Sequence, residues 1–153
     1  MEVSKLSKET ILSAVTQIGV EEVPKGSNAG ADVEKYLKSV GLGKGYSWCM
    51  AFVYWNVLQA CAKLSMPNPL LKTGGVLAQY NYPKSKRFTA PQAGDIFIMD
   101  FGKGTGHTGI VEYVLNDTIH TIEGNTNDSG SREGIEVCRR QRPKAKIKGY
   151  LRY

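Results

Sequence analysis

Three observations predict an α+β fold with an antiparallel sheet. Apolar residues recur at helical spacing through the first half of the chain. Runs rich in β-branched and aromatic residues fill the second half, and glycine, asparagine and aspartate separate those runs. Helices first and strands afterwards is the pattern of a helical layer on an antiparallel sheet. With 153 residues, 41% apolar and 22% charged, the chain has the size and composition for one core, so a single domain over residues 1–153 is expected.

Leu6, Ile11, Leu12, Val15 and Ile18 mark a first amphipathic helix, with Ser7 as its N-cap and Gly19 near its stop. A polar loop over residues 21–30 leads to a second helical pattern at Val33, Tyr36, Leu37 and Val40, which Gly41 closes as a C′ residue. The third helix is expected over residues 48–63 and is apolar around most of its circumference, which makes it central. Pro67 and Pro69 end that region, residues 74–80 suit a short further helix, and residues 81–91 are basic and turn-like. Strands are expected over residues 95–100, 107–115, 118–125, 134–139 and 147–152, about five in all.

A net charge of +6 draws the protein toward anionic polymers without choosing among them. The first ten residues intersperse charges with apolar side chains and lack the hydrophobic centre of a secretory signal, and no segment is apolar enough to span a bilayer. Synthesis in the cytoplasm is therefore expected. Three cysteines without a pairing pattern argue against a disulfide framework. Two histidines and scattered cysteines offer no metal-ligand spacing, and Gly102, Gly104 and Gly106 precede a strand rather than a helix, so they are no phosphate loop. No metal and no cofactor is expected. Arg139, Arg140, Arg142, Lys144, Lys146, Lys148 and Arg152 make the C-terminus basic, and their even-numbered subset reads as a solvated strand face in preference to a polyanion site.

Cys49 follows the glycine-rich stretch 41–45 at the start of the third helix. There the unpaired N–H groups and the positive end of the helix dipole favour thiolate, the nucleophilic form. A thiolate needs a base, and the base needs a third group to fix its tautomer. The candidates for the base are His107 and His120, and the polar run Glu123-Gly124-Asn125 supplies the orienting group.

Strand parity separates the two histidines. Glu123 and Asn125 share one face, and His107 joins them only if the hairpin pairs odd residues with odd, as in His107 opposite Asn125 and Gly109 opposite Glu123. That register needs a three-residue connection such as Leu115-Asn116-Asp117, or a bulge, because a two-residue Asn116-Asp117 turn alone would turn His107 away. In the odd register His120 falls on the other side, across from Glu112. His107 is therefore preferred, with Cys49 expected above the face of His107, Glu123 and Asn125. Cys61 and Cys138 are read as small buried residues.

These segments resemble the CHAP amidohydrolase/peptidase domains, papain-like cysteine hydrolases of phage endolysins and bacterial cell-wall enzymes. The resemblance runs from Gly26-Ser27-Asn28 through Trp48-Cys49-Met50-Ala51-Phe52-Val53, Pro91-Gln92-Ala93-Gly94-Asp95-Ile96 and Gly106-His107-Thr108-Gly109-Ile110-Val111 to Glu123-Gly124-Asn125. It implies a papain-like α+β fold, with Cys49 as nucleophile, His107 as base and later acid, Glu123 orienting the imidazole and Asn125 assisting or substituting. It implies a peptidoglycan substrate cut at the muramoyl–L-alanine amide or within the stem or cross-bridge peptide. Tyr46 and Trp48 are then candidates for the substrate groove. Some family members carry an aspartate-rich calcium loop before the cysteine, but residues 41–48 contain no Asp or Glu. A monomer acting at the wall or in the periplasm is expected, released through a phage-type membrane lesion or by secretion machinery, with an immunity or inhibitor protein as a further partner and no specific nucleic acid. The competing readings are a thiol hydrolase of some other amide or ester, and a non-enzymatic module that grips an anionic polymer with its basic face.

Overall fold

The computed structural model describes residues 2–126 and 134–153. Ser4 stands in extended conformation ahead of α1 (Lys5–Gln17), and its hydroxyl accepts the Ser7 N–H at 3.1 Å. Ser4 is thus the N-cap, in place of Ser7, which lies buried within the first turn where the open donors are already being covered. Helix α2 (Ala31–Ser39) closes as expected at Gly41, whose φ is +81°. The Leu42 N–H reaches Leu37 O at 2.9 Å and the Gly41 N–H reaches Lys38 O at 3.0 Å, the pair of bonds that satisfies the last carbonyls of a helix.

Helix α3 (Cys49–Leu64) buries Met50, Ala51, Phe52, Val53, Val57, Ala60 and Cys61, so side chains pointing in several directions all meet protein. Tyr36 of α2 ties this helix down near its start: its ring stacks on Trp48 at 5.7 Å and meets Phe52 and Trp55 edge-on, each at 5.3 Å. A short helix α4 (Val76–Asn81) follows.

The remaining elements are β1 (Arg87–Phe88), β2 (Ile96–Gly102), β3 (Thr105–Leu115), β4 (Thr118–Thr126), β5 (Glu136–Pro143), a single 3-10 turn (Lys144–Lys146) and β6 (Gly149–Leu151). They form one six-stranded sheet in the order β1-β6-β2-β3-β4-β5, every neighbouring pair antiparallel. The five expected strands are present, and β1 adds a two-residue edge within the stretch read as turn-like. Ile96, Ile98, Ile110 and Ile122 project from one face into the helical core. Phe97, Met99, Val111, Ile119 and Tyr150 form a second apolar layer on the other face.

The hairpin between β3 and β4 decides where the polar residues point. Its connection is the two-residue Asn116-Asp117 turn, with Leu115↔Thr118, Val114↔Ile119 and Tyr113↔His120 paired. A bulge between Val111 and Tyr113 then shifts the register, and beyond it Val111 pairs with Thr121 and Ile110 with Ile122. Odd residues therefore face odd residues on the side of the site. The extra residue is Glu112, and it restores the parity that the two-residue turn would have broken.

Candidate active site

The segment that carries Cys49 is anchored from below by a buried carboxylate. Glu22, 2% exposed, accepts the Trp48 indole N–H at 2.8 Å through Oε2 and the Gly26 N–H at 2.9 Å through Oε1. Trp48 is the N-cap of α3 and its carbonyl receives the Phe52 N–H at 2.8 Å, so the indole bond fixes where the helix starts. Trp48 is fully buried. That corrects the expectation of a substrate contact, because a side chain with no exposed surface serves the core and not the groove. Tyr46, two residues earlier, is 56% exposed and remains available to a ligand. Cys49 itself, 2% exposed, opens the first turn of the helix.

The body of α3 lies on the Ile110 and Ile122 face, opposite in parity to His107. Gly124 lets it come that close: a Cβ there would stand 2.7 Å from Phe52 and 2.8 Å from the Trp48 ring. Pairing between β3 and β4 stops at Ile110↔Ile122, so His107 and Glu123 belong to stretches where these two strands are no longer bonded to each other. At the helix tip Cys49 interacts with the His107 ring.

His107 is 1% exposed, and its Nε2 lies 2.7 Å from Oε1 of Glu123, which has no exposed surface. Gly109 makes room for that carboxylate, since a Cβ there would stand 2.7 Å from Glu123 Cγ. The other ring nitrogen, Nδ1, has no partner in strict hydrogen-bond geometry and is the one left for the thiol. Glu123 is held on both oxygens. Arg142 donates from Nη2 to Oε1 at 2.5 Å and from Nε to Oε2 at 2.9 Å, and the Thr121 hydroxyl donates to Oε2 at 2.6 Å.

These contacts set the charge of the pair. Burial is the largest single influence on His107 and disfavours the imidazolium. Hydrogen bonding and electrostatic attraction to Cys49 and Glu123 outweigh it and raise the pKa to about 9. Burial also opposes the Glu123 anion, but bonds from Arg142 and His107 prevail and lower that carboxyl to about 2. The site is therefore built to hold an imidazolium against a carboxylate at neutral pH.

Asn125 is buried, with φ of +55°, and neither amide atom has a hydrogen-bond partner among the described residues. The partner of His107 is Glu123 and not Asn125. His120 lies across from Tyr113 and stacks on its ring at 4.2 Å, which corrects the expected pairing with Glu112. Glu112, displaced by the bulge, instead takes Arg139 at 2.9 and 3.0 Å. Cys61 is buried as expected, whereas Cys138 is half-buried and sits across from Glu123.

Arg142 is the functional-site residue that sequence reasoning missed. Its place in the basic run predicts a solvated face, yet it is 9% exposed and turned inward. The even-numbered set does not form one face: β5 ends at Pro143, Lys148 pairs with Asp100, and Arg152 binds Asp95. A usable signal existed, because a buried carboxylate of the kind proposed for Glu123 requires a cation beyond a titrating histidine.

A helical layer on an antiparallel sheet, with a cysteine at a helix tip against a sheet histidine, defines a papain-like α+β protein. The CHAP domain family model matches residues 41–125, more than half the chain, and the protein belongs to that family. Among solved structures it is similar to the endolysin LysIME-EF1, with TM-score 0.59 and 18% identity over 99% of this chain and 64% of that one. It is also similar to Ly7917, with TM-score 0.57 and 18% identity over 95% of this chain and 61% of that one. A second structure of Ly7917, with the hydrolysing product of MDP, gives TM-score 0.55. The chain thus spans under two thirds of these neighbours. No curated protein matches it by sequence.

Proposed function

We propose that the protein is a peptidoglycan hydrolase that cleaves an amide bond with Cys49 as nucleophile. The observation that carries this reading is the linear order of contacts at the helix tip: thiol, imidazole, carboxylate, with His107 Nε2 engaged by Glu123 at 2.7 Å and Nδ1 left for Cys49. In this reading His107 takes the thiol proton on Nδ1 and the thiolate sulfur attacks the amide carbonyl. His107 then returns the proton to the leaving amine, and a water activated by the same ring hydrolyses the thioester. The backbone N–H groups of the first turn of α3 have no helical acceptor and are suited to stabilise the oxyanion. Asn125 supplies a further buried polar group, and Tyr46 shapes the groove.

Family membership and likeness to endolysin structures support the wall as substrate, and the net charge of +6 suits an anionic envelope. Two bonds fit the chemistry: the amide between muramic acid and L-alanine, and a peptide bond of the stem or cross-bridge. Purified sacculi should lose turbidity with the wild-type protein and not with Cys49→Ala, and mass spectrometry of the fragments assigns the bond. Intact sacculi together with turnover of small amides would move the reading to a different thiol hydrolase. A Cys49→Ala protein that still clears sacculi would end it.

A further inference from the structure

We infer that Arg142 is a positioning residue of this site: by clamping Glu123 as an anion it fixes Nε2 as the protonated nitrogen of the neutral His107 ring, so that Nδ1 is the one that exchanges a proton with the Cys49 thiol. The inference rests on the reading of Cys49 and His107 as nucleophile and base.

The reasoning starts from burial. Glu123 has no exposed surface, and a carboxylate in that position takes up a proton unless donors and cations hold it. His107 alone is an insufficient guarantee, because its Nε2, 2.7 Å from Oε1, can donate to a carboxylate or accept from a carboxyl O–H. Were Glu123 to take up a proton from solvent, its carboxyl O–H would donate to Nε2, and the single proton of the neutral ring would sit on Nδ1. That nitrogen could then no longer accept the thiol proton, so the wrong tautomer would block the first step.

Arg142 prevents this. Its guanidinium stays charged across the working pH range, and its fork covers both oxygens, Nη2 to Oε1 and Nε to Oε2. Arg142 stands across from Ile119, whereas the residue across from Glu123 is Cys138, so the clamp is delivered along the sheet by a long side chain. The groups around the carboxylate and its histidine, among the described residues, are His107 from β3, Thr121 from β4, Arg142 and Cys138 from β5, and, on the far side of the ring, Cys49 from α3. Only Arg142 among them is a permanent cation. Lysine could supply the charge but not the two parallel bonds.

The test uses Arg142→Gln and Arg142→Lys, with two readouts that need no substrate. The first is the rate of Cys49 alkylation by iodoacetamide against pH. The second is the 15N spectrum of the His107 imidazole, recorded in a His120→Gln background so that one ring remains. Once His107 is neutral, above about pH 9, wild type should show the Nε2-protonated ring, and at neutral pH its Cys49 should alkylate faster than an ordinary thiol. Arg142→Gln should move the acid limb upward by about one pH unit or more and populate the Nδ1-protonated form. Arg142→Lys should shift the limb less, in the same direction. A folded Arg142→Gln protein with limb and tautomer unchanged would reduce Arg142 to packing. If that variant does not fold, an unshifted limb in Arg142→Lys overturns the inference equally. A wild-type Cys49 that alkylates like an ordinary cysteine would instead defeat the catalytic reading itself and the inference with it.

Discussion

Among the described residues two buried carboxylates are clamped by arginine, and they have become different devices. Asp95 has no exposed surface and takes Arg152 Nε at 2.7 Å, Arg152 Nη2 at 2.8 Å and the Gln92 N–H at 2.7 Å. Glu123 is as buried and takes Arg142 by the same fork. At Asp95 burial is the largest influence, and the bonds from Arg152 and Gln92 do not overcome it, so its pKa stays above the ordinary value. At Glu123 the added histidine tips the balance, and the carboxyl falls to about 2. An arginine clamp by itself fastens the C-terminal segment to the start of β2. An arginine clamp with an imidazole on its free side is, in the proposed mechanism, what supplies a base of fixed tautomer.

The contrast breaks most sharply at the carboxylates. Glu123→Ala and Asp95→Ala should each cost about 3 kcal/mol, since each strands a largely buried arginine, and urea unfolding would measure both. Only Glu123→Ala should also abolish sacculus clearing in the protein that remains folded. Equal activity loss from both would mean that the clamp, and not the histidine, matters. Next in size, His107→Ala should slow turnover by about 10²–10⁴-fold without a comparable loss of stability. Turnover within the error of wild type would exclude it as the base.

The pH dependence of stability should differ in sign between the two sites. Glu123 is depressed from 4.5 to about 2, so its contribution is complete above its unfolded value and drains away as pH falls toward 2. Asp95 is raised, so deprotonation weakens the fold and acid restores it. Melting temperatures between pH 2 and pH 5 should therefore fall less steeply in Glu123→Gln than in wild type, and more steeply in Asp95→Asn. The smallest effect is expected at Thr121→Val, which removes the 2.6 Å bond to Glu123 and should cost about 1.5 kcal/mol, with the clamp and most activity retained.

Much of this arrangement was legible in sequence because it follows from periodicity. A cysteine opening an apolar helix, a histidine after a glycine and a Glu-x-Asn pair fix a helix tip and a strand face, and parity then selects His107 over His120. The bulge was legible only as an alternative to a longer turn, since nothing local marks Glu112 as the extra residue. Aromatic residues suit grooves, which points Trp48 toward substrate, but its bond to Glu22 spans 26 positions and no spacing rule reports it. Arg142 was hidden for the opposite reason: it lies among six other basic residues that are mostly solvated, and composition made it look like one of them. Charge density in a sequence says where cations are plentiful. It does not say which one is indispensable.

The extra residue at Glu112 gives the β3–β4 hairpin a constraint of arithmetic. The two-residue turn and the bulge are each out of step by one position, and only their sum returns the chain to a readable frame. A deletion of Glu112 alone would leave every functional letter in place while rotating His107 to one side of the sheet and Glu123 to the other. Length changes in this hairpin are therefore tolerable only in compensating pairs. A second lost residue in the turn would repair what the first destroyed.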